Sequence, residues 1–71
     1  LNASSNKPTR AFTPHEERVL AGICQGKTNR EIALELGRSE KTVKTHVTAI
    51  FRVLGVVNRT QAALLMARKQ A

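Results

Sequence analysis

Apolar residues recur at helical spacing in four runs along this chain, and polar or glycine-containing turns separate the runs. In the first, Val19, Leu20, Ile23 and Cys24 make one stripe that stops at Gly26. Thr13 stands before Pro14 and three residues ahead of Glu16, the arrangement of a capping box with proline at the first helical position, and Phe12 is placed to staple the helix start. This predicts a helix over about 14–25, with Cys24 as a small core filler. Thr28 and Glu31 repeat the box, Ile32, Ala33 and Leu36 supply the second stripe, and Gly37 ends it. After a short turn over 37–39, Ser39 caps a third helix that extends to about 54 before Gly55. Asn58, with Gln61 three residues on, caps a fourth over about 59–69. No strand pattern and no repeat is present, so the expected fold class is all-α, a small four-helix bundle containing a helix-turn-helix.

The third helix sorts its side chains most sharply. At about 100° per residue, Val43, Val47, Ile50 and Leu54 gather on one side, and Lys41, Lys44, Thr45, Thr48 and Arg52 on another. One side calls for a core and the other for an anion. The fourth run (Ala62, Ala63, Leu64, Leu65, Met66, Ala67) is too wide for a single core-facing stripe, so part of it must either fold back on the bundle or meet another molecule, and a second copy is the expected one. Ala62, Leu65, Met66 and Lys69 are the residues assigned to that dimer interface, although Leu65 and Ala62 are also placed to cap the core. Residues 1–11, rich in Asn, Ser, Pro, Lys and Arg, read as a flexible linker or arm, and 12–71 as the folded domain.

Composition narrows the partner. The 71 residues carry twelve Lys plus Arg against five Asp plus Glu, a formal net charge of +7, which points to a polyanion. Two phenylalanines are the only aromatic rings of the Phe, Tyr and Trp class, too few for the base stacking on which single-strand and RNA binding rest, so duplex DNA fits better. From Ser39 onward Lys41, Lys44, Arg52, Arg59, Arg68 and Lys69 face only Glu40, so the C-terminal half carries the field. No apolar run approaches the ~20 residues of a membrane-spanning helix, and no membrane partner is expected. A single cysteine forms no internal disulfide, and two histidines without a cysteine pair form no zinc site, which suits a reducing cytoplasm. No nucleophile with a base, metal-ligand cluster or phosphate loop is evident, so neither catalysis nor a cofactor is expected.

Lys41, Lys44, Thr45 and Thr48 share one face at the start of the third helix and are the candidates for base contacts. Lysine donates to guanine O6 and N7, and threonine donates, accepts or touches a thymine methyl. Thr28, Asn29, Ser39 and Thr42 lie at helix N-termini, where unpaired amides attract phosphate, although capping alone also accounts for Thr28 and Ser39. His46 either donates to a phosphate or packs at the helix edge. Arg52 and Arg59 either reach the far backbone or are surface arginines with no role.

The segment FTPHEERVLAGICQGKTNREIALELGRSEKTVKTHVTAIFRVLGVVNRTQAALL resembles the LuxR-type (GerE-like) DNA-binding domain. The resemblance rests on the TP-x-E-x-x-VL opening, the G-x-TN-x-EIA-x-x-L segment, the S-x-x-TVK-x-H run and the LGV-x-NRTQA close. It implies a four-helix domain with its third helix in the major groove and dimers formed through the fourth on paired half-sites. It also implies groove contacts at Lys41, Lys44, Thr45 and Thr48, with Thr28, Asn29, Thr42 and His46 near the backbone. Several relatives carry Lys or Asn where this chain has Thr45 and Thr48, so a base preference does not transfer. Such domains mostly serve as the C-terminal output of a larger regulator that activates or blocks RNA polymerase. The preceding domain is expected to be a receiver of the NarL/FixJ response-regulator type, or else a ligand-binding domain. Two rival readings stay open: a monomeric promoter-recognition domain of sigma-factor type, and a basic helical module that docks an acidic protein.

Overall fold

The computed structural model describes residues 10–70. The linker expected over 1–11 therefore lies, apart from Arg10 and Ala11, outside the described residues. The element order is α1 (Pro14–Cys24), α2 (Asn29–Leu36), α3 (Glu40–Leu54) and α4 (Arg59–Gln70), with no strand among the described residues. The fold is all-α, and α3 is its hub: it packs on α1 and α2, while α4 packs on α1.

Each helix begins where its cap places it. Thr13 and Thr28 both form complete capping boxes, with Glu16 and Glu31 returning a side-chain oxygen to the cap amide. Ser39 Oγ accepts from the Thr42 amide at 3.1 Å, and Asn58 Oδ1 from that of Gln61 at 2.8 Å. Gln61 reaches one residue further back than a box requires, accepting from the Val57 amide at 2.9 Å. The corner between α2 and α3 turns at Gly37, whose φ of +67° is left-handed and strained for any side chain. There the Arg38 amide closes back on the Ala33 carbonyl at 3.0 Å.

The core joins Val19, Leu20 and Ile23 of α1, Ile32 and Ala33 of α2, Val43, Val47, Ile50 and Leu54 of α3, and Ala62 and Leu65 of α4. Phe12, Leu36, Phe51, Val56 and Met66 are half-buried against it. Gly22 brings α1 and α2 together, because a Cβ there would lie 2.6 Å from Ile32 Cγ1.

Two expectations need correcting. Cys24 is exposed rather than part of the core. It lies where α1 rotates out of the bundle, on the wall of a shallow groove of about 450 Å³ formed with Phe12, Glu17, Leu20, Ala21, Gln25 and Met66. Partial burial pushes its thiol pKa up, so it is a poor nucleophile. Secondly, Ala62 and Leu65 are 0% and 6% exposed within the single chain and are closed to a second copy as they stand. The reason is geometric: Ala62 and Leu65 are taken up in the core and Met66 is partly buried against it, which leaves Lys69 as the exposed member of the four. Arg10, near the end of the expected arm, makes a two-pronged contact with Glu16 at 2.8 and 2.9 Å.

Candidate nucleic-acid interface

The exposed side of α3 is held out by its own opposite side. Val43, Val47, Ile50, Val53 and Leu54 are all buried, which leaves the helix no freedom to roll. Lys41, Lys44, Thr45, Thr48 and Arg52 are consequently all exposed. Among the described residues the ion pairs are Arg10–Glu16 and Lys27–Glu35, so Lys41, Lys44 and Arg52 form none, and Glu40 is the one carboxylate on their helix. The two threonines back-bond to their own helix, Thr45 Oγ1 donating to the Lys41 carbonyl and Thr48 Oγ1 to the Lys44 carbonyl, each at 3.1 Å.

The N-termini of α2 and α3 flank this surface differently. At α3, the Ser39 hydroxyl is fully engaged, accepting from the Thr42 amide and donating to Thr42 Oγ1 at 3.0 Å. The amides of Glu40 and Lys41, in the first turn, have no intrahelical acceptor and point towards solvent. At α2, Glu31 Oε1 takes the Thr28 amide at 2.8 Å, which withdraws one donor and brings a negative charge to the helix start. Asn29 is oriented by Arg59, whose Nη1 donates to Asn29 Oδ1 and whose Nη2 donates to the Lys27 carbonyl, both at 2.6 Å. Because a guanidinium only donates, the Asn29 oxygen must face it, and the amide NH₂ is left for an acceptor outside. Arg59 is thus a brace between α4 and the start of α2, with both contacting nitrogens already occupied by protein.

His46 is half-buried and stacks on His15 of α1, ring centroids 5.9 Å apart and planes within 5°. Arg38, in the turn before α3, donates to His15 Nε2 at 3.0 Å. The pair packs the recognition-helix candidate against α1. Sequence reasoning missed the role of Glu16, which is 5% exposed. The Arg10 guanidinium and the Thr13 amide, outweighing the cost of burial, lower its pKa from 4.5 to about 2. The signal for it was the arginine six residues upstream, which reads as arm until the helix start is folded beside it.

This arrangement, a short helix and a longer one meeting at a left-handed glycine with an unpaired basic face on the second, is that of a helix-turn-helix DNA-binding domain. Residues 10–66 match the family of bacterial regulatory proteins described as the luxR family, GerE, and the chain belongs to it. It is 55% identical over 53 residues to the transcriptional regulatory protein YhcZ of Bacillus subtilis (strain 168), covering 75% of this chain and 25% of that protein. It is 49% identical over 57 residues to the transcriptional regulatory protein LiaR of the same strain, covering 80% and 27%. The crystal structure of the response regulator ChrA, from a heme-sensing two-component system, superposes with a TM-score of 0.79 at 41% identity, over 90% of this chain and 32% of that one. The chain thus spans about a quarter of the length of the curated relatives it matches. It is a DNA-binding domain of the kind found in transcription regulators, and no helix among the described residues is long and apolar enough to cross a membrane.

Proposed function

We propose that this chain is the output domain of a two-component response regulator, placed after a receiver domain, and that it binds paired half-sites on double-stranded DNA as a homodimer. In this reading α3 enters the major groove. Lys41, Lys44, Thr45 and Thr48 meet base edges, while Thr28, Asn29, Ser39, Thr42 and Arg52 meet the backbone through side chains or first-turn amides. His46 and Arg59 act through packing, His46 on α1 and Arg59 on Asn29. The observation that carries this is the exposed basic face of α3, whose Lys41, Lys44 and Arg52 form no ion pair among the described residues, backed by an apolar side that is buried. The dimer surface is moved to the outer side of α4, where Leu64 is 61% exposed and shares a helical face with Thr60, Ala63 and Ala67.

Selection of bound sequences from a random duplex pool tests the reading, since it returns half-site, symmetry and spacing together. Lys44→Ala is expected to weaken the selected duplex more than a scrambled one. Equal losses on both would move Lys44 to the backbone. One copy per selected site, rather than two, would overturn the dimer and favour a monomeric promoter-recognition mode.

A further inference from the structure

Thr45 and Thr48 carry a chemical restriction that their names alone do not reveal. Each hydroxyl proton is directed at a carbonyl of the preceding turn, Lys41 O for Thr45 and Lys44 O for Thr48. A threonine Cβ in a helix has one staggered position crowded against the preceding turn, so oxygen and methyl divide the other two. With the oxygen folded towards the i−4 carbonyl, the γ-methyl takes the position leading away from it. Both residues are exposed, so each offers the groove a methyl group and oxygen lone pairs, but no O–H.

That combination fits one kind of base pair. In the major groove guanine shows only acceptors, N7 and O6, which repel a hydroxyl that has only lone pairs to give. An A·T pair shows the thymine C5 methyl and the adenine N6 amino group, so it offers an apolar partner for the γ-methyl and a donor for Oγ1. A G·C pair shows the cytosine amino group but no methyl. We infer that Thr45 and Thr48 are the specificity-determining residues for A·T pairs in each half-site, reading the thymine methyl by apolar contact. Their separation along α3 is about 4.5 Å, against a base-pair rise of about 3.4 Å, so the two read neighbouring pairs. Lys41 and Lys44, which only donate, leave the guanine edges and phosphates to themselves.

This inference rests on the proposed placement of α3 in the major groove, and its test separates the two. Replacing single thymines of the selected site with deoxyuridine removes a methyl and leaves every hydrogen-bonding atom in place, with the protein untouched. Binding is expected to weaken roughly three- to five-fold at one or two neighbouring positions per half-site, the size expected for a buried methyl. Thr45→Ser and Thr48→Ser are expected to bind thymine and deoxyuridine duplexes alike, whereas Thr45→Val and Thr48→Val keep the distinction. Tight binding to a selected site that no deoxyuridine weakens would overturn the inference while sparing the groove placement. Val variants that lose the site while Ser variants keep it would overturn it too, by showing that the oxygen and not the methyl carries the recognition. A chain with no preference for any duplex would overturn both.

Discussion

The two sides of α3 come from the same fifteen residues and obey opposite rules. On the inner side the side chains are β-branched or leucine, and all are buried. On the outer side lysine, threonine and arginine touch almost nothing but their own helix. Stability lives on the first side and recognition on the second, because apolar burial is non-directional and needs only contact, whereas reading a groove needs polar groups left unpaired until DNA arrives. Substitutions on the two sides should therefore move different observables.

The largest effect is expected from Ile50→Ala. Ile50 is 0% exposed at the centre of the bundle, and truncation there costs about 2–5 kcal/mol through lost transfer energy and the cavity left behind. Total stability for a chain of this size is only a few kcal/mol at the lower end of the usual range, so urea unfolding should show a sharply lowered midpoint or no folded baseline. Lys44→Ala, one helical face away, should leave stability within about 0.5 kcal/mol of the parent. A Lys44→Ala midpoint as low as that of Ile50→Ala would erase the division between the sides.

Gly22 extends the comparison to the helices that support α3. An alanine methyl at 22 would meet Ile32 Cγ1 at 2.6 Å and Cδ1 at 2.8 Å, and Ile32 is itself fully buried, so Gly22→Ala should destabilise by about 1–3 kcal/mol. Combined with Ile32→Ala, which removes both of those atoms, the two losses should sum to less than the separate values, because each change makes room for the other. Additive losses would place the cost in the backbone of α1 instead.

Most of what stands behind α3 could be read from sequence, since caps and stripes are local. Thr13, Thr28 and Ser39 all mark real helix starts, and the core stripes of α2 and α3 are where the spacing put them. What the pattern could not settle is which neighbour a stripe meets. Cys24 continues the α1 stripe in sequence but stands exposed on a groove wall beside Met66, and Ala62 and Leu65 of α4 are taken up in the core. Arg59 is the sharpest case. Its role depends on Asn29, thirty residues away, and no local period connects them.

A smaller, pH-dependent effect belongs to Glu16, where a charge serves stability rather than recognition. Its folded pKa is lowered from 4.5 to about 2, first by the Arg10 hydrogen bonds and then by the Thr13 amide. A depressed carboxylate pKa means the folded chain binds fewer protons than the unfolded one, so this contribution is fully present above about 4.5 and is lost as pH falls towards about 2. Solvent around the half-exposed Arg10 screens the pair, which limits the contribution to about 1–2 kcal/mol. Glu16→Gln should lower the urea midpoint at neutral pH and flatten its decline between those pH values. A variant that declines as steeply as the parent would place the acid sensitivity elsewhere.

The smallest effect separates two arginines that look alike in sequence. Arg52 is exposed on the outer side of α3 with no carboxylate partner among the described residues, so Arg52→Ala should leave stability unchanged. If Arg52 neutralises one phosphate, the slope of log affinity against log salt should shrink by about 0.9 on selected and scrambled duplexes alike. Arg59→Ala is the control that sharpens the contrast. Two of its five N–H groups already hold Asn29 and the Lys27 carbonyl, so its loss should lower the unfolding midpoint while changing the salt slope only as far as Asn29 is released. If instead Arg59→Ala lowered the slope by a full charge with no change in stability, Arg59 would turn outward to the backbone when DNA binds. The division between bracing and recognition would then lie within α3 alone.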